Sequence, residues 1–179
     1  MTVLGGTRVR LRAFHAEEFE LLWKAVWGAD PTVAVGNPDA DGLRARMASS
    51  GQMTDRELLM AVDVEGTLRG SIQAYRDGVP PGVFELGIDL FQAADRNKGY
   101  GTEAVRLLTA HLFDAEGARR IEAGTAFDNA PMRAVLARLG FQQEGVRRRF
   151  YPSEDGAGVD CVVYGMTKDD FEDVRNRWT

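Results

Sequence analysis

The strongest constraint lies between residues 83 and 112. There the apolar run VFELGIDLF leads through the polar stretch DRNKGYGT into a segment whose Val105, Leu108 and Leu112 recur at helical spacing. Two glycines, Gly99 and Gly101, stand where that helix begins. Glycine weakens a helix interior by roughly 0.5–1 kcal/mol relative to alanine, so a pair in the first turn marks a backbone that a partner approaches closely. First-turn amides have no intrahelical acceptor and sit at the positive end of the helix dipole, which suits an anion, most often a phosphate. Arg96 and Lys98 can add charge-assisted contacts. The spacing is neither G-x-x-x-x-G-K-[ST] nor G-x-G-x-x-G, which argues against a P-loop nucleotidase and a dinucleotide-binding fold.

The rest of the chain alternates strand and helix periods. RVRLR at 8–12 alternates charged and apolar side chains as a half-buried strand does, and Phe19, Leu22, Trp23, Val26 and Trp27 then form one helical stripe. A turn-rich stretch at 30–42, long enough to shape a site, leads to a short helix around 43–47. Two strands meet at the turn Glu65-Gly66, and a third follows at 83–91. After the glycine segment come a strand near 120–125, a helix carrying Met132, Val135, Leu136 and Leu139 and stopped by Gly140, strands at 141–151 and 159–167, and a closing amphipathic helix. Antiparallel hairpins followed by βαβ-like crossovers predict a mixed α/β fold, as a single domain over residues 1–179.

Composition narrows the class of function. With 44% apolar and 27% charged residues and a net charge of −5, non-specific nucleic-acid binding is disfavoured. The single cysteine, Cys161, and two distant histidines, His15 and His111, offer no disulfide and no metal-ligand spacing, so no metal and a reducing, cytoplasmic setting are expected. The sequence shows neither the apolar core of a signal peptide nor a run of about 20 apolar residues that would span a membrane.

RNKGYG resembles the R/Q-x-x-G-x-G/A pyrophosphate loop of the GNAT superfamily of N-acyltransferases. A second pattern, carried by Asn129, Leu136, Leu139, Gly140, Phe141, Glu144, Gly145 and Arg148, resembles the RimJ/RimL-like branch that acetylates protein N-termini, as does the opening RVRLRAFHAEEFELLW. The resemblance implies the GNAT fold, a splayed, mixed and mostly antiparallel sheet of about seven strands with helices on both faces, and direct transfer of an acetyl group from acetyl-coenzyme A to an amine. On this resemblance the coenzyme is held by Leu90, Phe91, Arg96, Asn97, Lys98, Gly99, Tyr100, Gly101, Thr102 and Asn129, the last equally suited to capping a helix.

Such a transfer needs a base for the amine and a proton for the departing thiolate. Glu85 is at the position of the family's strand glutamate, and Asp89 lies four residues on, on the same strand face. Glu85 is the first candidate for the base and Asp89 the second, and the plain alternative for both is a carboxylate on a solvated strand face. The chain departs from the family in the donor: Leu136 stands where many members have a tyrosine and Met132 where the branch often has a serine, so either another group such as Tyr151 or Tyr164 donates the proton or the thiolate leaves without a dedicated acid. The acceptor is expected to be a protein N-terminal amine or a small-molecule amine, with no nucleic acid or membrane partner and a monomer or homodimer. The alternative is a catalytically silent coenzyme A-binding module. Arg147, Arg148 and Arg149 read first as a solvated face, the aromatic stripe of Phe19 and Trp23 as core, and Cys161 as a buried thiol.

Overall fold

The computed structural model describes residues 1–27, 39–76, 78–153 and 155–178. The strands are β1 (Leu4–Gly5), β2 (Val9–Arg12), β3 (Glu57–Val64), β4 (Thr67–Tyr75), β5 (Val83–Leu90), β6 (Arg120–Ala126), β7 (Gln142–Tyr151) and β8 (Val159–Thr167). The helices are α1 (Phe19–Trp27), α2 (Ala40–Ala48), α3 (Tyr100–Asp114), α4 (Ala130–Leu139) and α5 (Lys168–Val174). The strands form one sheet in the order β1-β2-β3-β4-β5-β6-β8-β7, where only β5 and β6 run parallel.

Eight strands stand where about seven are expected, and the two-residue β1 is too short to show any period. The turn between β3 and β4 forms as its residues predict: Glu65 and Gly66 have φ of 53° and 78°, the left-handed pair of a tight hairpin. Helix α2 begins earlier than its apolar residues suggest because the Asp39 side chain accepts from the Asp41 amide and caps it. The part of the turn-rich stretch at 30–38 lies outside the described residues, as does the side chain of Trp27.

Alternation along β3 divides the core between two faces. Leu58, Met60 and Val62 join Val105, Leu108 and Leu112 of α3 in the larger apolar cluster, while Leu59 and Ala61 meet Leu22, Leu43 and Met47 of α1 and α2 on the opposite face. Burying a side chain such as Leu108 contributes roughly 1.5–3 kcal/mol. Helices therefore cover both faces, the larger cluster holding α3 and α4 and the smaller one α1 and α2.

The parallel pair opens partway along its length. β5 and β6 are in register from Val83 opposite Arg120 to Leu86 opposite Ala123. Beyond that point β5 continues along β4 as far as Leu90, while β6 turns to β8 as far as Ala126. The sheet splays there, and the separation leaves room between Gly87–Leu90 and Gly124–Ala126.

Candidate active site

Two cavities meet in the splay. The first, of about 460 Å³, lies between the end of β5, the first turn of α3 and one face of α4. The second, of about 770 Å³, lies on the opposite side of the sheet, among α1, α2, β4 and the end of β7. Ile88, Asp89 and Asn129 line both.

The glycine segment forms one wall of the first cavity. Gly99 has φ of 86° and precedes α3 with no side-chain cap, so the helix mouth is bare backbone. The first intrahelical bond runs from the Glu103 amide to the Gly99 carbonyl at 3.0 Å, and the amides before it point out of the helix. A Cβ on Gly101 would lie 3.9 Å from Leu90 Cδ1 and 4.0 Å from Ile88 Cδ1, ordinary contacts that leave the backbone open to the cavity. Across from it Pro131, Ala134, Val135 and Arg138 repeat at i, i+3, i+4 and i+7 along α4. Arg96 and Arg138 bring two cations to this space. Bare amides, two guanidinium groups and the apolar side chains of Leu90, Met132 and Val135 fit a long ligand that is anionic at one end and apolar along its stem, as coenzyme A is.

Of the expected coenzyme residues, Leu90, Arg96, Asn97, Gly99, Gly101, Thr102 and Asn129 line this cavity. Phe91, Lys98 and Tyr100 are not part of its lining. Phe91 packs against the smaller apolar cluster, Lys98 lies 3.6 Å from buried Asp95, and Tyr100 lies beneath the Arg8 guanidinium, 5.2 Å from its ring centroid. Asn129 also caps α4, accepting from the Met132 amide at 3.3 Å.

The four expected proton-transfer residues separate. Asp89, which like Glu85 keeps an exposed face, lines both cavities; partial desolvation by the walls of the splay pushes its carboxyl above the ordinary aspartate value, with Arg96 pulling the other way. Glu85 is exposed on the same strand face, opposite Tyr75 of β4 and Glu122 of β6, and lies outside the lining of both cavities. Tyr151 lines the second cavity beside Cys161, its hydroxyl 3.6 Å from the thiol sulfur; burial first, then that thiol, raises its ionisation well above the usual tyrosine value. Tyr164 is buried in the larger cluster, where its hydroxyl accepts from Arg133 Nε at 3.4 Å, and lines neither cavity.

The two positions where the chain departs from the family lie in different places. Leu136 is fully buried in the core rather than turned to the splay, whereas Met132 does line the first cavity. Sequence reasoning missed Arg138 and the polar floor of the second cavity, Ser71, Gln73 and Tyr75. The signals were present as a four-residue face on α4 and as polar side chains at alternate positions of β4. Arg147, Arg148 and Arg149 are exposed, and Cys161 is buried, as expected. No group of three or more metal-ligating side chains occurs among the described residues, and no helix of theirs is long and apolar enough to cross a membrane.

The chain is similar to known acetyltransferases in sequence and in fold. A Bacillus subtilis N-acetyltransferase of uncharacterised role, YoaA, is 33% identical over 84 residues, 47% of this chain and 46% of that protein, so the chain spans about half the length of this relative. Among solved structures, Mycobacterium smegmatis RimJ in complex with a coenzyme A disulfide superposes with a TM-score of 0.77 at 21% identity, over 98% of this chain and 94% of that one. RimL, an alpha-N-protein acetyltransferase in complex with coenzyme A, superposes with a TM-score of 0.75 at 16% identity, over 94% and 99% of the two chains. These two likenesses concern the fold. The acetyltransferase (GNAT) domain family matches residues 8–142, from the start of β2 through α4, and the chain belongs to that family.

Proposed function

We propose that the chain transfers an acetyl group from acetyl-coenzyme A to a primary amine, with the coenzyme between β5, α3 and α4 and the acceptor on the other side of the splay. The observation that carries this reading is the junction of two cavities of different character at Asp89, a carboxylate whose affinity for protons is raised. Bound acetyl-coenzyme A supplies a thioester carbonyl open to attack by an amine. The amides of Gly101 and Thr102, with Arg96 and Arg138, hold the phosphates, and Ile88, Leu90, Met132 and Val135 flank the apolar arm. A protonated amine is not a nucleophile, and Asp89 takes its proton, directly or through a water. The base role thus moves from Glu85 to its neighbour on the same face. Tyr151, kept protonated by its burial, supplies a proton to the departing thiolate. The acceptor is a protein N-terminal amine or a small-molecule amine, and a lone buried thiol fits a cytoplasmic setting.

Gly101→Val tests the coenzyme half of this reading. There is room for the new Cβ, so the fold is kept while a branched side chain covers the amides. Calorimetry is expected to show a loss of coenzyme A affinity of roughly 10–100-fold, the scale of one or two charge-assisted hydrogen bonds. Unchanged affinity in the folded variant overturns the placement. Gly99 is the poorer probe, because its positive φ would strain any replacement.

A further inference from the structure

The charges and walls of the second cavity carry an inference about the acceptor, and it rests on the reading above. One wall is apolar, built from Leu22 and Val26 of α1, Leu43 of α2 and Leu59 of β3. Its charged residues, among those described, are Asp89, Asp128 and Arg46. Arg46 is already neutralised, its Nε and Nη2 lying 2.6 and 2.8 Å from the two carboxylate oxygens of Glu57. Neither Asp89 nor Asp128 has an ion pair among the described residues. Two further cations are near: Arg96, whose charge reaches Asp89, lines the coenzyme cavity, where on this reading the phosphates answer it, and Arg147, whose charge reaches Tyr151, stacks over the Phe150 ring at 5.2 Å outside the lining. Residues 28–38, 77, 154 and 179, outside the described set, include no lysine or arginine, so they add no cation.

We infer that the acceptor is a primary amine joined to an apolar body and carrying no carboxylate beside the amine. An amine placed at Asp89 brings its α-substituent to the same point. A carboxylate there would lie beside two like charges, while the one cation of the described lining is already held by Glu57, whereas an amide or a hydrogen atom meets no such repulsion. The cationic form of the amine is drawn in by the same two carboxylates, and the apolar wall takes its body. A peptide amino terminus and a free monoamine share this chemistry; a free amino acid lacks it because of its carboxylate, and a polyamine lacks the apolar body.

The test compares phenylalanine, phenylalanine amide, 2-phenylethylamine and spermidine as acceptors for the wild-type protein at saturating acetyl-coenzyme A, with each rate divided by the unprotonated fraction of the amine. The amide and phenylethylamine are expected to exceed phenylalanine in kcat/KM by about 10²-fold, because the two carboxylates repel only the substrate that carries one of its own, and to exceed spermidine. Their order separates a peptide-like acceptor from a free monoamine. Equal rates for phenylalanine and its amide, or a preference for spermidine, overturn the inference. If none is acetylated, the same order is read from calorimetric binding to the coenzyme A-loaded protein. Glu57→Gln supplies a second reading, because it frees the Arg46 charge while keeping the side chain's shape. The preference for amide over acid is expected to narrow about tenfold in the folded variant; an unmoved ratio removes Arg46 and Glu57 from the account and overturns it. A wild-type protein that binds no coenzyme A instead defeats the functional reading itself, a different failure from binding without discrimination.

Discussion

Asp63 and Asp89 are the same residue type on strands of one sheet, yet their carboxyls move in opposite directions. Burial alone would raise both. At Asp63 the Arg12 guanidinium, 2.8 Å away through Nε, and the Gly66 amide at 2.9 Å outweigh burial and hold the group below its ordinary value. Glu18 is treated alike, its desolvation overcome by two bonds from Arg12 at 2.7 and 2.9 Å and one from the His15 amide. At Asp89 only the more distant charge of Arg96 opposes burial, and the group stays high. The Arg12 cluster fastens β2 to β3 and to the turn before α1, with every charge answered inside the protein. The splay leaves charge for a ligand to answer. Asp63 is buried and fully paired, Asp89 is open to the cavities and unpaired, and that difference, rather than residue type, separates scaffold from site in this molecule.

The sharpest way to break the comparison is to neutralise the unanswered carboxylate. Asp89→Asn is expected to lower turnover by about 10²–10⁴-fold at nearly intact coenzyme affinity and to remove the acidic limb of the pH–rate profile. Full activity with an unaltered limb would return the base role to Glu85. Next in size is Arg12→Met, which strands Glu18 and Asp63 in the interior. Loss of one partner from such a cluster costs about 3–5 kcal/mol, and urea melts should show it, with coenzyme binding kept in the folded fraction. A loss below about 1 kcal/mol would mean that these carboxylates recover water when the guanidinium is gone.

The smallest effect is in the pH dependence of stability, where the two regions have opposite signs. Glu18 and Asp63 have lowered values, so their contribution is present above the ordinary values of 4.5 and 3.8 and is lost as pH falls through the lower folded ones. Asp89 has a raised value, so stability is lost as pH rises through it. Thermal melts of Asp89→Asn are therefore expected to match or slightly exceed wild type near neutrality, and to lose that advantage in acid, where the native carboxyl is protonated. A lower melting temperature at neutral pH would place Asp89 with the scaffold.

The sequence by itself determined what depends on neighbours along the chain. The apolar period of α3, the left-handed turn at Glu65-Gly66, the cap at Asn129 and the bare helix mouth at Gly99 and Gly101 are local, because each is set by side-chain size and backbone freedom within a few residues. Tertiary structure decided which of two carboxylates four residues apart reaches the splay, since Glu85 lies where β5 still pairs with β6 and Asp89 where it no longer does. It also buried Leu136 and Tyr164 in the core and brought the α4 face and the alternate polar residues of β4 to opposite sides of one opening. Those outcomes follow from pairing between strands far apart in sequence, and the separation of β5 from β6 is written in neither strand alone. It arises where one strand stays with β4 and the other with β8, and the chemistry expected of the chain is set in that gap.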